Sequence, residues 1–186
     1  MFQVLTLDII NQFNLPFGKL KMKNTNVLAG LTAALLLVST TFSFAADETQ
    51  QDANGVILSG YDAVSYFTGN KATKGYAGIS TVHGGAIYHF SSEANRDLFN
   101  ANPSKYAPQY GGFCAYGAAI GAKFPVDPTV FAIVDDKLYV NNSANVSKIW
   151  TAKQSKAIAL ADKKWSNIES VASGDLTPDD DLDDDE

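Results

Sequence analysis

Ile79-Ser80-Thr81-Val82-His83-Gly84-Gly85-Ala86-Ile87-Tyr88-His89-Phe90 reads as two short β-favouring runs joined by a glycine pair. Two glycines between β-branched and aromatic runs signal a tight hairpin, because its favoured turns need positive φ at the central residues. Strict alternation puts Ile87 and His89 on one face and Ala86, Tyr88 and Phe90 on the other. Ser91 or Ser92 then caps a helix with Glu93 and Arg96 in its early turns, Leu98 and Phe99 toward a core, and a stop at Asn102-Pro103.

A second unit of the same order follows. Val130–Val134 and Lys137–Asn141 form a hairpin across Asp135-Asp136, and Ser143 or Asn145 starts a helix reaching about Trp165. Val146, Ile149, Trp150, Ala157, Leu160, Ala161 and Trp165 supply its apolar side. Before the first hairpin, Gly60 permits a turn, and Asp62 caps a short helical turn carrying Val64, Tyr66 and Phe67, closed by Thr68-Gly69-Asn70-Lys71. Between the two units, residues 104–116 interleave turn residues with aromatics and read as a structured loop; Ala115–Ile120 adds a brief helix ended by Gly121. The prediction is an α+β fold: a single compact domain with two β-hairpins, each followed by a helix, and an aromatic Gly-rich loop.

At the N-terminus, Lys19, Lys21 and Lys23 precede the apolar run Val27–Val38 and then Ser43-Phe44-Ala45, the order of a secretory signal peptide cleaved near Ala45. The run is shorter than the roughly 20 apolar residues of a membrane span, so no stable insertion is expected after cleavage. Residues 1–21 carry an acid and a proline before the basic region, which places the expected translation start at Met22. The predicted organisation is a leader over 1–45, a flexible lead-in over 46–56, a globular domain over 57–168 and a disordered acidic tail over 169–186. The last twelve residues hold eight acids and no base, whereas residues 46–174 hold 11 acids and 11 bases. A neutral globular part excludes the basic face that nucleic acid demands.

Cys114 is the sole cysteine, set in Gly111-Gly112-Phe113-Cys114-Ala115-Tyr116-Gly117. Exported proteins usually pair their cysteines, so a lone one beside glycines is a candidate for chemistry; amides approaching its sulfur would lower its pKa. The competing reading is a small buried hydrophobe. His83, at the hairpin mouth, reads as an exposed turn residue. His89 reads either as a half-buried strand histidine or as a ligand. Cys114, His83 and His89 are too few to close a four-ligand zinc site, but an open copper site needs fewer soft ligands. Nucleophilic chemistry at Cys114 would need His89 with Asp62 or Asp97 beside it. Most of the many aromatics read as core, a pocket lined by tyrosine hydroxyls being the sharper alternative.

Gly60-Tyr61-Asp62-Ala63-Val64-Ser65-Tyr66-Phe67, Tyr88-His89-Phe90 with the following Ser91–Phe99, and the run Asn102-Pro103 through Cys114-Ala115 resemble the exported YHS-domain proteins, over roughly residues 55–166. The resemblance implies a small α+β domain related to metal-associated modules of heavy-metal transporters. It also implies soft-metal or thiol chemistry at Cys114. The expected function is therefore a periplasmic module that binds or delivers copper or another soft metal through Cys114, with His89 assisting, and that is not a classical enzyme. Its expected partners are the metal ion or a small ligand and a periplasmic protein. Two alternatives stay open: a thiol redox protein with Cys114 as its reactive residue, or a non-catalytic domain that binds a ligand or partner through the aromatic loop.

Overall fold

Both glycines of the first hairpin turn take left-handed φ, +55° at Gly84 and +76° at Gly85. In the computed structural model, which describes residues 49–179 and Leu182, they join β1 (Tyr76–His83) to β2 (Ala86–Phe90) in antiparallel register, with Val82 opposite Ile87 and Ser80 opposite His89. Residues 1–48 lie outside the described residues, and with them the expected signal peptide and cleavage position. In β2 the predicted alternation holds: Ala86, Tyr88 and Phe90 are buried, Ile87 and His89 half-buried. β1 starts three residues earlier than predicted, its register shifting between Tyr76 and Ser80.

The segment before β1 folds around α1 (Ser65–Gly69). Asp62 is fully buried and its Oδ1 accepts from the amides of Val64 at 2.9 Å and Ser65 at 3.4 Å. Its Oδ2 accepts from Ser91 N at 2.8 Å, Ser91 Oγ at 2.6 Å and Asn95 Nδ2 at 2.6 Å. Ser91 is thereby committed to Asp62, which leaves Ser92 as the cap of α2 (Glu93–Ala101), its side chain accepting from Asn95 N. One carboxylate thus fixes the start of α1 and the start of α2 together. Phe99 is fully buried as predicted, but Leu98 is 44 % exposed, because α2 covers the hairpin with a narrower stripe than two adjacent residues can share.

After α2 come α3 (Pro103–Tyr106), a 3-10 turn at Tyr110–Gly112 and α4 (Ala115–Ala119), ended as predicted near Gly121. The second hairpin pairs β3 (Asp127–Val134) with β4 (Lys137–Asn141) across Asp135 and Asp136, both at positive φ. The helix that follows is two helices. Ser143 caps α5 (Ala144–Ala152), and Lys153, at φ −120°, breaks it from α6 (Gln154–Ile168). Ile149 is 46 % exposed, while Trp150, Ala157 and Ala161 are buried. The fold is α+β, with two separate two-stranded sheets.

Two apolar clusters form the interior. The first gathers Leu58, Val64, Tyr66, Tyr88, Phe90, Phe99, Leu138 and Val140; the second gathers Tyr110, Ala118, Tyr139, Trp150, Ala157, Ala161 and Leu182. Leu182 belongs to the segment expected to be disordered, and the described part of that segment lies against the body. Lys123 Nζ donates to the carbonyls of Glu169 and Val171, Asp179 N donates to Ile120 O at 2.9 Å, and Lys164 pairs with Asp179 at 2.6 Å. Lys153 and Lys156 donate to Leu182 O. One of these contacts, Lys164 to Asp179, pairs opposite charges and the others reach backbone carbonyls; a reading of the tail's own composition leaves all of them out. The lead-in is likewise tied over its described part: Asp52 Oδ1 accepts from Asn54 N and Val56 N, Gln50 N donates to Gly111 O, and Val56 bridges Ile87.

Candidate functional site

Cys114 stands at the start of α4, its amide donating to Phe124 O at 3.1 Å and its carbonyl accepting from Ala118 N at 2.9 Å. The residue is fully buried. Its Sγ–H donates to Asn141 Oδ1 at 3.4 Å, an oxygen that also accepts from Tyr116 N at 3.1 Å. Burial pushes the thiol above its ordinary range, and the backbone amides of Gly117, Asn142 and Tyr116 offset this only in part. Desolvation therefore outweighs amide approach, the reverse of what the neighbouring glycines suggest. Those glycines serve the backbone instead. Gly111 and Gly112 follow Tyr110 in three successive left-handed residues, and a Cβ on Gly112 would sit 3.2 Å from Ile57 and 3.3 Å from Pro108. Asn141 Nδ2 and Trp150 Nε1 are buried donors without a hydrogen-bond partner among the described residues.

His89 lies on the face of β2 away from the first cluster. Gly60, at φ +77°, admits its ring: a Cβ there would come within 3.0 Å of His89 Nδ1. His83 is exposed, as expected, and meets Phe99 edge to face at 5.8 Å. No hydrogen bond joins Cys114 to His89, and the two are served by different neighbours: Asn141 and the α4 amides for one, Gly60 for the other. The acids considered as orienting groups are engaged elsewhere, Asp62 as described and Asp97 with Arg96 at 3.0 Å. Among the described residues no group of three or more His, Cys, Asp or Glu side chains stands close enough to hold a metal ion. Of the donor set expected for copper, the thiol is enclosed and hydrogen-bonded to Asn141, and no hydrogen bond links it to His89.

The aromatic loop makes a different site. Its residues Ser104, Ala107, Pro108, Gln109 and Tyr110 face Asp162, Trp165, Ser166 and Glu169 of α6 and its C-cap across a groove of about 330 Å³. Gln109 N donates to Leu138 O at 2.8 Å and Pro108 bridges Leu138, so β4 holds the loop from below. Tyr110 has φ +54°, a strained conformation for a side-chain-bearing residue. That conformation directs its buried phenol to Asp162, whose Oδ1 accepts the OH at 2.9 Å. Desolvation, with the hydrogen bond to the carboxylate second, keeps this phenol protonated far above the ordinary tyrosine range. Trp165 is half-buried, with Tyr110 at 5.7 Å between ring centres and the Lys123 ammonium 5.6 Å over its ring.

Sequence reasoning reached the loop but not the helix opposite. The signal was present as Asp162, Trp165 and Glu169 at spacings of three and four, which share one helical face. Of the many tyrosines, Tyr110 alone contributes to this groove; Tyr66, Tyr88 and Tyr106 are core residues. Comparison with protein-family profiles, with curated proteins and with solved structures finds no match to the chain.

Proposed function

We propose that the protein is an exported domain of YHS type that acts as a non-catalytic binding module, with the groove between its aromatic loop and α6 as the binding site. Export rests on the signal-like order of residues 22–45, and the domain type on the quoted motifs. The observation that carries the binding reading is the groove itself. Its volume falls at the lower end for small-ligand sites, and the Tyr110–Asp162 hydrogen bond fixes its geometry in advance. Copper delivery through Cys114 asks for an accessible thiolate and a second ligand, and a buried thiol hydrogen-bonded to Asn141 offers neither. The same burial counts against a reactive thiol. NMR of the labelled protein with acetate, glucose, 1-aminobutane and benzamide tests the reading. Shifts gathered on Gln109, Tyr110 and the Trp165 indole are expected. Stoichiometric copper(I) binding abolished by Cys114→Ser, with no compound shifting the groove, would overturn it.

A further inference from the structure

Groove chemistry narrows the ligand class. Its lining carries two acids, Asp162 and Glu169, and no base; Ser104, Gln109 and Ser166 are neutral. Neither acid has an ion-pair partner among the described residues. The acids are not adjacent. They are seven positions apart, a backbone rise of about 10 Å at 1.5 Å per residue, and Trp165 lies between them on the same face. Acid, aromatic surface and acid therefore run in line along the groove.

Building on the groove as the binding site, we infer that its ligand is a linear aliphatic diammonium ion lying along α6, one ammonium at Asp162, the other at Glu169, and the methylene chain across Trp165. The dimensions agree. An extended four-carbon diamine spans roughly 6 Å between nitrogens, and a charge-assisted hydrogen bond of about 2.8 Å at each end brings the total to about 11–12 Å. Tyr110 OH engages Oδ1 of Asp162, so Oδ2 is the oxygen left for an ammonium. At the other end, the C-terminus of a helix favours positive charge. Lys123 already exploits that preference through the carbonyls of Glu169 and Val171 and through the Trp165 ring. Its ammonium opposes a second cation near Glu169, which makes the Asp162 contact the tighter of the two.

Calorimetric or NMR titration of the full chain at low ionic strength with 1,4-diaminobutane, 1-aminobutane and 1,4-butanediol tests this. The diamine should bind about two- to fivefold more tightly than the monoamine, the diol should not bind, and added salt should weaken the diamine. Asp162→Asn keeps an acceptor for Tyr110 and should weaken the diamine about two- to fivefold; Glu169→Gln should weaken it less. Equal binding of diamine and monoamine, or diamine binding indifferent to both substitutions, overturns the inference. Groove shifts from acetate, glucose or benzamide without any from the diamine overturn the ligand class and leave the groove reading standing. An unshifted groove with every compound overturns both.

Discussion

Asp62 ties the start of α1 to the start of α2, and replacing it by alanine gives a quantitative test. The carboxylate is fully buried and accepts five hydrogen bonds, from Val64 N, Ser65 N, Ser91 N, Ser91 Oγ and Asn95 Nδ2. A hydrogen bond to a charged group contributes about 1.5–3 kcal/mol, but the five share one acceptor and do not add. Ser91 and Asn95 are half-buried, so their side chains regain water when the carboxylate is lost. The buried amide of Val64 cannot, whereas Ser65 N keeps a second acceptor, the carbonyl of Asp62 at 3.1 Å. Counting Val64 at about 1–1.5 kcal/mol, with about 1 kcal/mol for the Ser91 and Asn95 contacts together, gives about 2–2.5 kcal/mol for Asp62→Ala. In a domain of this size that lowers Tm by about 6–10 °C. Thermal unfolding followed by circular dichroism reads the shift. The cycle with Asn95→Ala is the sharper assay: that change should cost about 0.5 kcal/mol more in the native background than beside Asp62→Ala. A Tm loss below about 3 °C, or an undiminished Asn95→Ala effect in the double variant, refutes the argument that this carboxylate ties α1 to α2.

Two further predictions concern backbone packing and pH. Gly75→Ala would set a Cβ 2.5 Å from the His89 carbonyl carbon and 2.7 Å from Phe90 N, whereas nothing lies within 4 Å of a Cβ on Gly78. Denaturant titration should show Gly75→Ala destabilised by about 1–3 kcal/mol and Gly78→Ala unchanged within about 0.5 kcal/mol; equal effects would contradict the packing described. Burial pushes Tyr88 up to about 12, so between its ordinary value near 10 and that value the unfolded chain loses the proton and the folded chain keeps it. Stability should then fall as pH rises through this window, by about 1.4 kcal/mol per unit from Tyr88 alone, with Tyr66, Tyr110 and Tyr139 adding to the slope. Cys114, also raised, starts the decline near pH 8.5. The urea midpoint against pH should flatten in part with Tyr88→Phe above pH 10 and with Cys114→Ala below it. A midpoint constant to pH 12 would show that these groups are not buried.

Both hairpins were legible because their information is local. Gly84-Gly85, the alternation through Ala86–Phe90 and the serine caps each act over a few residues, and the structure uses them as read, with Ser92 rather than Ser91 at the first cap. What escaped depends on distant partners. The exposures of Leu98 and Ile149 follow from how far each helix is covered by its neighbours. The tail contacts follow from lysines on α6 and from Lys123, and no property of the acidic run specifies them. The groove joins loop residues 104–110 to helix residues 162–169, more than 50 positions away, so the acid-Trp-acid spacing has no meaning until the loop is laid over it.

The same distinction bears on the lone thiol. Tyr106 packs in the first cluster and Tyr110 in the second, while Pro108 and Gln109 bind β4 between them. The run from Asn102 to Cys114 is thus a seam joining the two halves of the interior, and most of its unusual composition answers to that task. Its glycines permit consecutive left-handed residues, its aromatics enter both clusters, and its cysteine ends in contact with Asn141 at the foot of β4. The exposed residues of the run are Asn102, Ser104 and Lys105, and of these Ser104 lines the groove, beside half-buried Gln109 and opposite Asp162, Trp165 and Glu169. The proposed binding is therefore placed on the groove side of the seam, where Ser104 is exposed, and not at the fully buried sulfur.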